Sequence, residues 1–198
     1  MTTTSTCWSC SGPTRTADAI CPACGKVQPP PKAGEQLDKF AVLGLAPSFE
    51  EPAGLDEKFR TLSRKLHPDR FARAAPVERR HSLEQTTLLN DAYKTIKDPV
   101  RRAEHLLALR GIKGDPKMSP EFLEQTLEDR EKLLEAKMSG EPLDALAAGV
   151  REKRDQTLRA VRDLVQNGGD LGKAAELLAR MRYYARYLDE VEGRSVDL

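Results

Sequence analysis

The sequence predicts an all-α protein: a helical hairpin and then an antiparallel three-helix bundle, preceded by a small metal-binding knuckle module. Three observations carry this. All four cysteines of the 198-residue chain fall between positions 7 and 24, as two C-x-x-C steps. Beyond them, apolar residues recur every three or four positions over long stretches, the period of a helix with one buried side. Prolines and glycines then punctuate those stretches where helices should start and stop.

Composition narrows the class of function. Apolar and aromatic residues make up 39% of the chain, enough for helical cores but not for a large enzyme pocket. Lys plus Arg (32) nearly cancels Asp plus Glu (31), so the net charge is +1. That balance argues against a nucleic-acid binder, which carries a dominant basic excess. Local patches remain as electrostatic docking sites. No run of about eighteen apolar residues occurs, so nothing is expected to span a membrane. The first residues, Met-Thr-Thr-Thr-Ser-Thr, have neither the basic start nor the apolar core of a secretory signal, and the chain reads as cytoplasmic.

The knuckle module occupies residues 1–30. Cys7 and Cys10, then Cys21 and Cys24, each bracket two residues, so each turn offers two thiolates to one ion. Four thiolates satisfy tetrahedral zinc. The segment holds few large apolar residues apart from Trp8, Ile20 and Val27, too few to fold unaided, and metal binding would supply the missing free energy. Two disulfides are disfavoured in a reducing cytoplasm. A thioredoxin-type redox pair would need a βαβ setting, which is missing. Structural zinc is therefore expected, with iron on the same four sulfurs as the alternative. The stiff linker Gln28 to Gly34, with three consecutive prolines, marks a boundary.

The second region, residues 37–112, opens with a short helix from Leu37 to Leu43 that turns Phe40 and Leu43 inward and ends at Gly44. The next helix carries Leu55, Phe59, Leu62 and Leu66 on one stripe, with Lys58, Arg60, Arg64 and Lys65 on the remaining surface. Pro68 stops it and pushes His67 out of helical geometry, which exposes His67 and Asp69 on a stiff turn. A third helix from Val77 to Lys97 buries Leu88, Leu89, Ala92, Tyr93 and Ile96. Asp98 caps a fourth, Val100 to Arg110, with Ala103, Leu106 and Leu107 inward and Gly111 at its end. His81 and His105 are expected to be solvated or packed rather than ligating.

Two antiparallel helices joined by His67-Pro68-Asp69 resemble the J-domain of co-chaperones. A His–Asp catalytic pair would need a nucleophile or Gly-rich loop beside it, and none accompanies it. Four stretches together are similar to the HscB (Jac-type) family, co-chaperones of iron–sulfur cluster assembly. They are Phe40 to Leu45, His67 to Phe71, Leu89 to Tyr93 and Arg102 to Leu107. The resemblance runs from about Leu37 to near the end of the chain. The paired cysteines resemble an extra N-terminal module of some eukaryotic members, which the best-known bacterial forms lack.

The third region, residues 118–192, is the bundle. Ser119 and Pro120 cap its first helix, where Leu123, Leu127, Arg130, Leu134 and Lys137 are expected as the buried seam, with Arg130 needing an acidic partner. The second runs from Pro142 to Gln166 on Leu146, Val150, Leu158, Val161 and Val165, and Gly168-Gly169 ends it. The last carries Leu171, Ala174, Leu178, Met181, Ala185 and Leu188, with Tyr183 and Tyr187 as a ridge off that stripe.

The resemblance implies an adaptor without active-site chemistry. Lys58, Arg60, Arg64 and Lys65 would dock on a DnaK/HscA-type chaperone, and His67, Pro68 and Asp69 would favour its ATP-hydrolysing state. Leu123, Leu127 and Tyr183 stand at the positions that bind an IscU-type scaffold protein, with Glu124 where the family more often has an apolar residue. The same side chains could instead complete a core. The rival functions are a generalist J-protein for unfolded clients, a zinc-ribbon regulator that binds nucleic acid, and a thiol-redox enzyme.

Overall fold

The computed structural model describes residues 4–31, 37–112, 114 and 116–194. Contacts divide the chain into two compact units that meet between Leu109 and Arg110. Seven α-helices and one two-stranded sheet are found among the described residues, the all-α architecture expected.

The first unit begins with strands β1 (Thr4–Thr6) and β2 (Pro13–Arg15), an antiparallel pair with Ser5 opposite Thr14. An isolated bridge joins Ile20 to Val27. Each strand has three residues and no alternating apolar pattern, so no strand signal marks them in the sequence. They are the two arms of the first cysteine knuckle, and the Ile20–Val27 bridge closes the second. Lys32 to Gly34 of the expected linker lie outside the described residues, while Gln28 at its start is buried.

Helix α1 (Lys39–Val42) is shorter than expected; Asp38 caps it by accepting from the amides of Phe40 and Ala41. Gly44 takes φ +66°, a left-handed turn that suits glycine and ends the helix. Helix α2 (Leu55–Leu66) buries Leu55 and Leu66, with Phe59 and Leu62 half-buried. A 3-10 turn (Pro68–Phe71) separates it from α3 (Pro76–Lys97). The pair is antiparallel: Phe59 at one end stacks on Tyr93 at 4.1 Å, while Leu66 at the other bonds to Ser82. Asp56 accepts from the Tyr93 hydroxyl at 2.9 Å and so pins the open end of the hairpin.

Helix α4 (Pro99–Leu109) buries Ala103, Leu106 and Leu107 as expected. It also buries Arg102, whose guanidinium donates to the carbonyls of Phe49 at 2.7 Å and Ile96 at 2.6 Å. These carbonyls compensate a cation that has lost its water. His105 is packed: its Nε2 accepts from the Lys39 amide at 3.0 Å.

The second unit holds α5 (Pro120–Ser139), α6 (Asp144–Gln166) and α7 (Leu171–Val191) as a three-helix bundle. Ser119 caps α5 through the Phe122 amide, and Gly140 and Gly168 end α5 and α6 with positive φ. Helix α6 buries Ala147, Val150, Val161 and Val165, with Leu146 and Leu158 half-buried.

Two expectations for the bundle need correction. The buried side of α5 is Phe122, Asp129, Leu133 and Ala136, not the stripe of Leu123, Leu127, Arg130, Leu134 and Lys137. Two helical stripes run one residue apart along α5, and the one richer in leucine faces solvent. Asp129, not Arg130, holds the buried charge and pairs with Lys153 at 2.9 Å. On α7, Ala185 is exposed, whereas Tyr187 is buried along with Tyr184. That helix is apolar on most of its circumference, so its pattern underdetermines its inward side.

Candidate functional site

Three features of the sequence reading become places in the fold. The first is the bend between α2 and α3. Leu66 is buried, and His67, with ψ +128°, leaves the helix at once because Pro68 cannot continue it. The Nδ1 of His67 accepts from the Asp69 amide at 3.3 Å and caps the 3-10 turn. The side chains are open: His67 is 54% and Asp69 91% exposed. Lys58, Arg60, Arg64 and Lys65 on α2 are all exposed. Behind the bend, Ser82 of α3 donates its hydroxyl to the Leu66 carbonyl at 2.6 Å, and Thr86 shares its one hydroxyl proton between that carbonyl at 3.2 Å and the Ser82 carbonyl at 2.8 Å. The sequence reading missed both, because a hydroxyl in mid-helix reads as surface until its partner is known.

The second feature is the cysteine cluster. The four Sγ atoms of Cys7, Cys10, Cys21 and Cys24 lie within 4.8 Å of one another, and these residues could hold a metal ion. Cys7 to Cys24 is 3.6 Å and Cys10 to Cys21 is 3.8 Å. Metal–sulfur bonds of about 2.3 Å in a tetrahedron put the sulfurs about 3.8 Å apart, so the donor set fits. Cys7 and Cys21 are buried, and Cys10 and Cys24 are exposed. Burial raises the Cys7 thiol, but the amides of Cys10 and Ser9 and the neighbouring thiols of Cys24 and Cys10 outweigh it, down to about 6. At Cys24 the Lys26 amide opposes the rise, yet burial and the three other sulfurs push it up to about 12. Four clustered thiols cannot all ionise alone; a cation would let them.

The module does not stand free. Trp8 donates Nε1 to the Val27 carbonyl at 2.7 Å and meets the buried His81 edge-on, ring centres 5.6 Å apart. Lys26 pairs with the buried Glu78 at 2.8 Å, and Gln85 donates to the Gln28 carbonyl at 3.0 Å. The three links to α3 join residues more than fifty positions apart, which no local pattern reveals.

The third feature is the open side of α5. Leu123 is 50% and Leu127 64% exposed, and they edge a cavity of about 430 Å³ that Phe122, Met118 and Tyr183 also line. Tyr183 is half-buried, edge-on to Phe122 at 5.7 Å, and its hydroxyl donates to the Thr126 carbonyl at 2.9 Å. Burial first, and then the charge of Asp129, push its pKa up to about 12, so it stays a neutral donor. Leu123, Leu127 and Tyr183 are thus brought together, and Glu124 is exposed beside them.

The family described as the HSCB C-terminal oligomerisation domain matches residues 118–192. A co-chaperone protein HscB homolog of Ralstonia nicotianae is 36% identical over 151 residues, which cover 73% of this chain and 86% of that relative. The chain belongs to the HscB family of co-chaperones. The human iron–sulfur cluster co-chaperone protein HscB is 31% identical over 200 residues, 97% of this chain and 83% of that protein. The crystal structure of human co-chaperone protein HscB superposes with a TM-score of 0.82 at 30% identity, covering 98% of this chain and 100% of that one. Too little of this chain lies outside that superposition to omit the cysteines. The segment that carries the four cysteines therefore falls within the superposed part. No helix among the described residues is long and apolar enough to cross a membrane.

Proposed function

We propose that this HscB-family chain is a two-armed adaptor with no reaction of its own. Its first arm, the His67-Pro68-Asp69 turn, stimulates the ATPase of a DnaK/HscA-type chaperone. The supporting observation is the bend itself: an acid and an imidazole exposed on a proline-stiffened turn, at the end of a helix whose outer side carries four cations. Lys58, Arg60, Arg64 and Lys65 would steer α2 onto an acidic chaperone surface. Asp69 would gain most of its worth on losing water against a chaperone arginine.

The second arm is the α5 patch, where Leu123, Leu127 and Tyr183 would hold an IscU-type iron–sulfur scaffold protein. A half-buried tyrosine can anchor a contact, and the exposed leucines beside it make an apolar patch around that anchor. Holding both partners on one chain raises the effective concentration of scaffold at the chaperone. In the knuckles we propose zinc, since four thiolates at tetrahedral spacing suit it and a reducing cytoplasm keeps them available. Zinc there would be structural; Cys7, Cys10, Cys21 and Cys24 would hold it.

The deciding experiment is steady-state ATP hydrolysis by a DnaK/HscA-type partner. His67→Gln should reduce stimulation at least tenfold while the urea midpoint stays close to the parent, because the side chain is exposed. Full stimulation by that variant would refute the role given to the turn. Metal analysis of the purified chain should find one zinc per chain and no visible colour; a coloured, iron-bearing protein would overturn the choice of ion.

A further inference from the structure

Two turns of α3 serve two different neighbours. On the knuckle side, Glu78 holds Lys26, His81 meets Trp8, and Gln85 holds the Gln28 carbonyl. One step round the helix, Ser82 and Thr86 hold the Leu66 carbonyl. That carbonyl is the last of α2 before His67. Residues three and four apart adjoin on a helix, so positions 78, 81, 82, 85 and 86 form one continuous patch. Its polar members are sheltered: Glu78, His81, Ser82 and Gln85 are all buried.

The knuckle residues that reach this patch depend on the cysteines for their positions. Trp8 lies between Cys7 and Cys10, and Lys26 and Gln28 follow Cys24 closely. Gln28 also donates its side-chain amide to Cys7 Sγ at 3.3 Å. Three-residue strands and a few large apolar side chains cannot hold such a module together without a cation among its thiolates.

We propose that the tetracysteine module is a brace for the His67-Pro68-Asp69 turn. It is set when the four thiolates close on a cation and slack when they do not. Seating Trp8, Lys26 and Gln28 on α3 fixes the stretch Glu78 to Thr86. With that stretch fixed, Ser82 and Thr86 hold the Leu66 carbonyl and with it the bend. The consequence for a chaperone rests on the role proposed above for the turn; the mechanical coupling does not.

The test compares the full chain loaded with zinc and the same chain stripped by a chelator under reducing conditions, read by amide hydrogen exchange. Residues 62–71 should exchange roughly three- to tenfold faster in the stripped chain, what the loss of one or two hydrogen bonds of ordinary net strength gives. Residues 120–191 should not change. Trp8→Ala, which leaves all four cysteines, should keep one zinc per chain yet speed exchange at 62–71 in the same direction. Equal exchange at 62–71 with and without zinc would overturn the brace. So would an acceleration just as large in residues 99–109, which would mean general loosening. ATPase stimulation, measured on the same samples, separates the two ideas. If exchange responds and stimulation does not, the brace stands and the role of the turn falls.

Discussion

The hydroxyl of Ser82 reaches across the hairpin to the carbonyl of Leu66 at 2.6 Å, and the serine is fully buried. A helix leaves its last carbonyls without partners inside itself. Pro68 prevents α2 from continuing past that end, so the partner must come from elsewhere. Helix α3 supplies it twice, through Ser82 and Thr86. The bend is thus held from behind by hydroxyls, while its own charged groups stay free for solvent or a partner.

Ser82→Ala should therefore cost about 1–2 kcal/mol of stability, the usual toll for leaving a buried acceptor poorly satisfied. Thr86 remains and softens the loss. Urea unfolding checks this directly, and a midpoint equal to the parent's would mean that the second hydroxyl suffices. The exposed Thr87, whose hydroxyl bonds only within α3, is the control: Thr87→Ala should lie within about 0.5 kcal/mol of the parent.

Those hydroxyls also mark what the chain conceals from a reader of its sequence. The turn, the caps at Asp98 and Ser119, and the glycine stops at Gly44, Gly111 and Gly168 were legible, because each is a local rule about φ or an unpaired amide; the Asp38 cap was not, since that position fell inside the expected helix. The four cysteines were legible because ligand spacing is local too. Ser82 to Leu66, Lys26 to Glu78 and Gln85 to Gln28 were not, since each joins segments far apart in the chain. Helix α5 misled for another reason. Its leucines at 123, 127 and 134 outnumber the large apolar residues on the adjoining stripe, yet Phe122 and Leu133 are the ones buried. Asp129 sits among them because Lys153 of α6 neutralises it and the Gln125 amide donates to it.

The rotation of α5 separates binding from folding in a measurable way. Leu123→Ala with Leu127→Ala removes side chains that are half or more exposed, and should change stability by less than about 1 kcal/mol. Leu133→Ala, at 1% exposure, should cost about 2–5 kcal/mol. Titration calorimetry with an IscU-type scaffold should show the reverse order for affinity, with the double variant weakened at least tenfold. If the double variant binds as the parent does, the exposed stripe is not the contact.

Charge on α2 gives a prediction about rate. Arg60→Glu with Arg64→Glu should slow association with a DnaK/HscA-type chaperone about tenfold or more at low ionic strength. The gap should shrink as added salt shortens the Debye length to about 3 Å near 1 M. Stopped-flow association across a salt series would reveal it. Parallel salt dependences for parent and variant would remove α2 from the encounter surface.

Acid should weaken the first unit through Asp38. Burial by itself would raise this carboxyl, but His105 and the amides of Ala41 and Phe40 outweigh it and hold the pKa below the usual carboxylate range. A carboxyl depressed in the folded state contributes its stability in full above its unfolded pKa, about 3.9, and loses it as pH falls through the folded value. Asp56 acts with the same sign, held down by the Tyr93 hydroxyl and by Lys97. Asn in place of Asp38 keeps a cap but has no charge to lose. The stability difference between parent and Asp38→Asn at pH 5 should therefore shrink as pH falls below about 4. Acid also protonates the cysteine ligands, but it does so in both proteins, and the difference cancels that effect. Urea midpoints at pH 7, 5, 4 and 3 measure it. If the two curves stay parallel through pH 3, Asp38 is not the group through which acid acts.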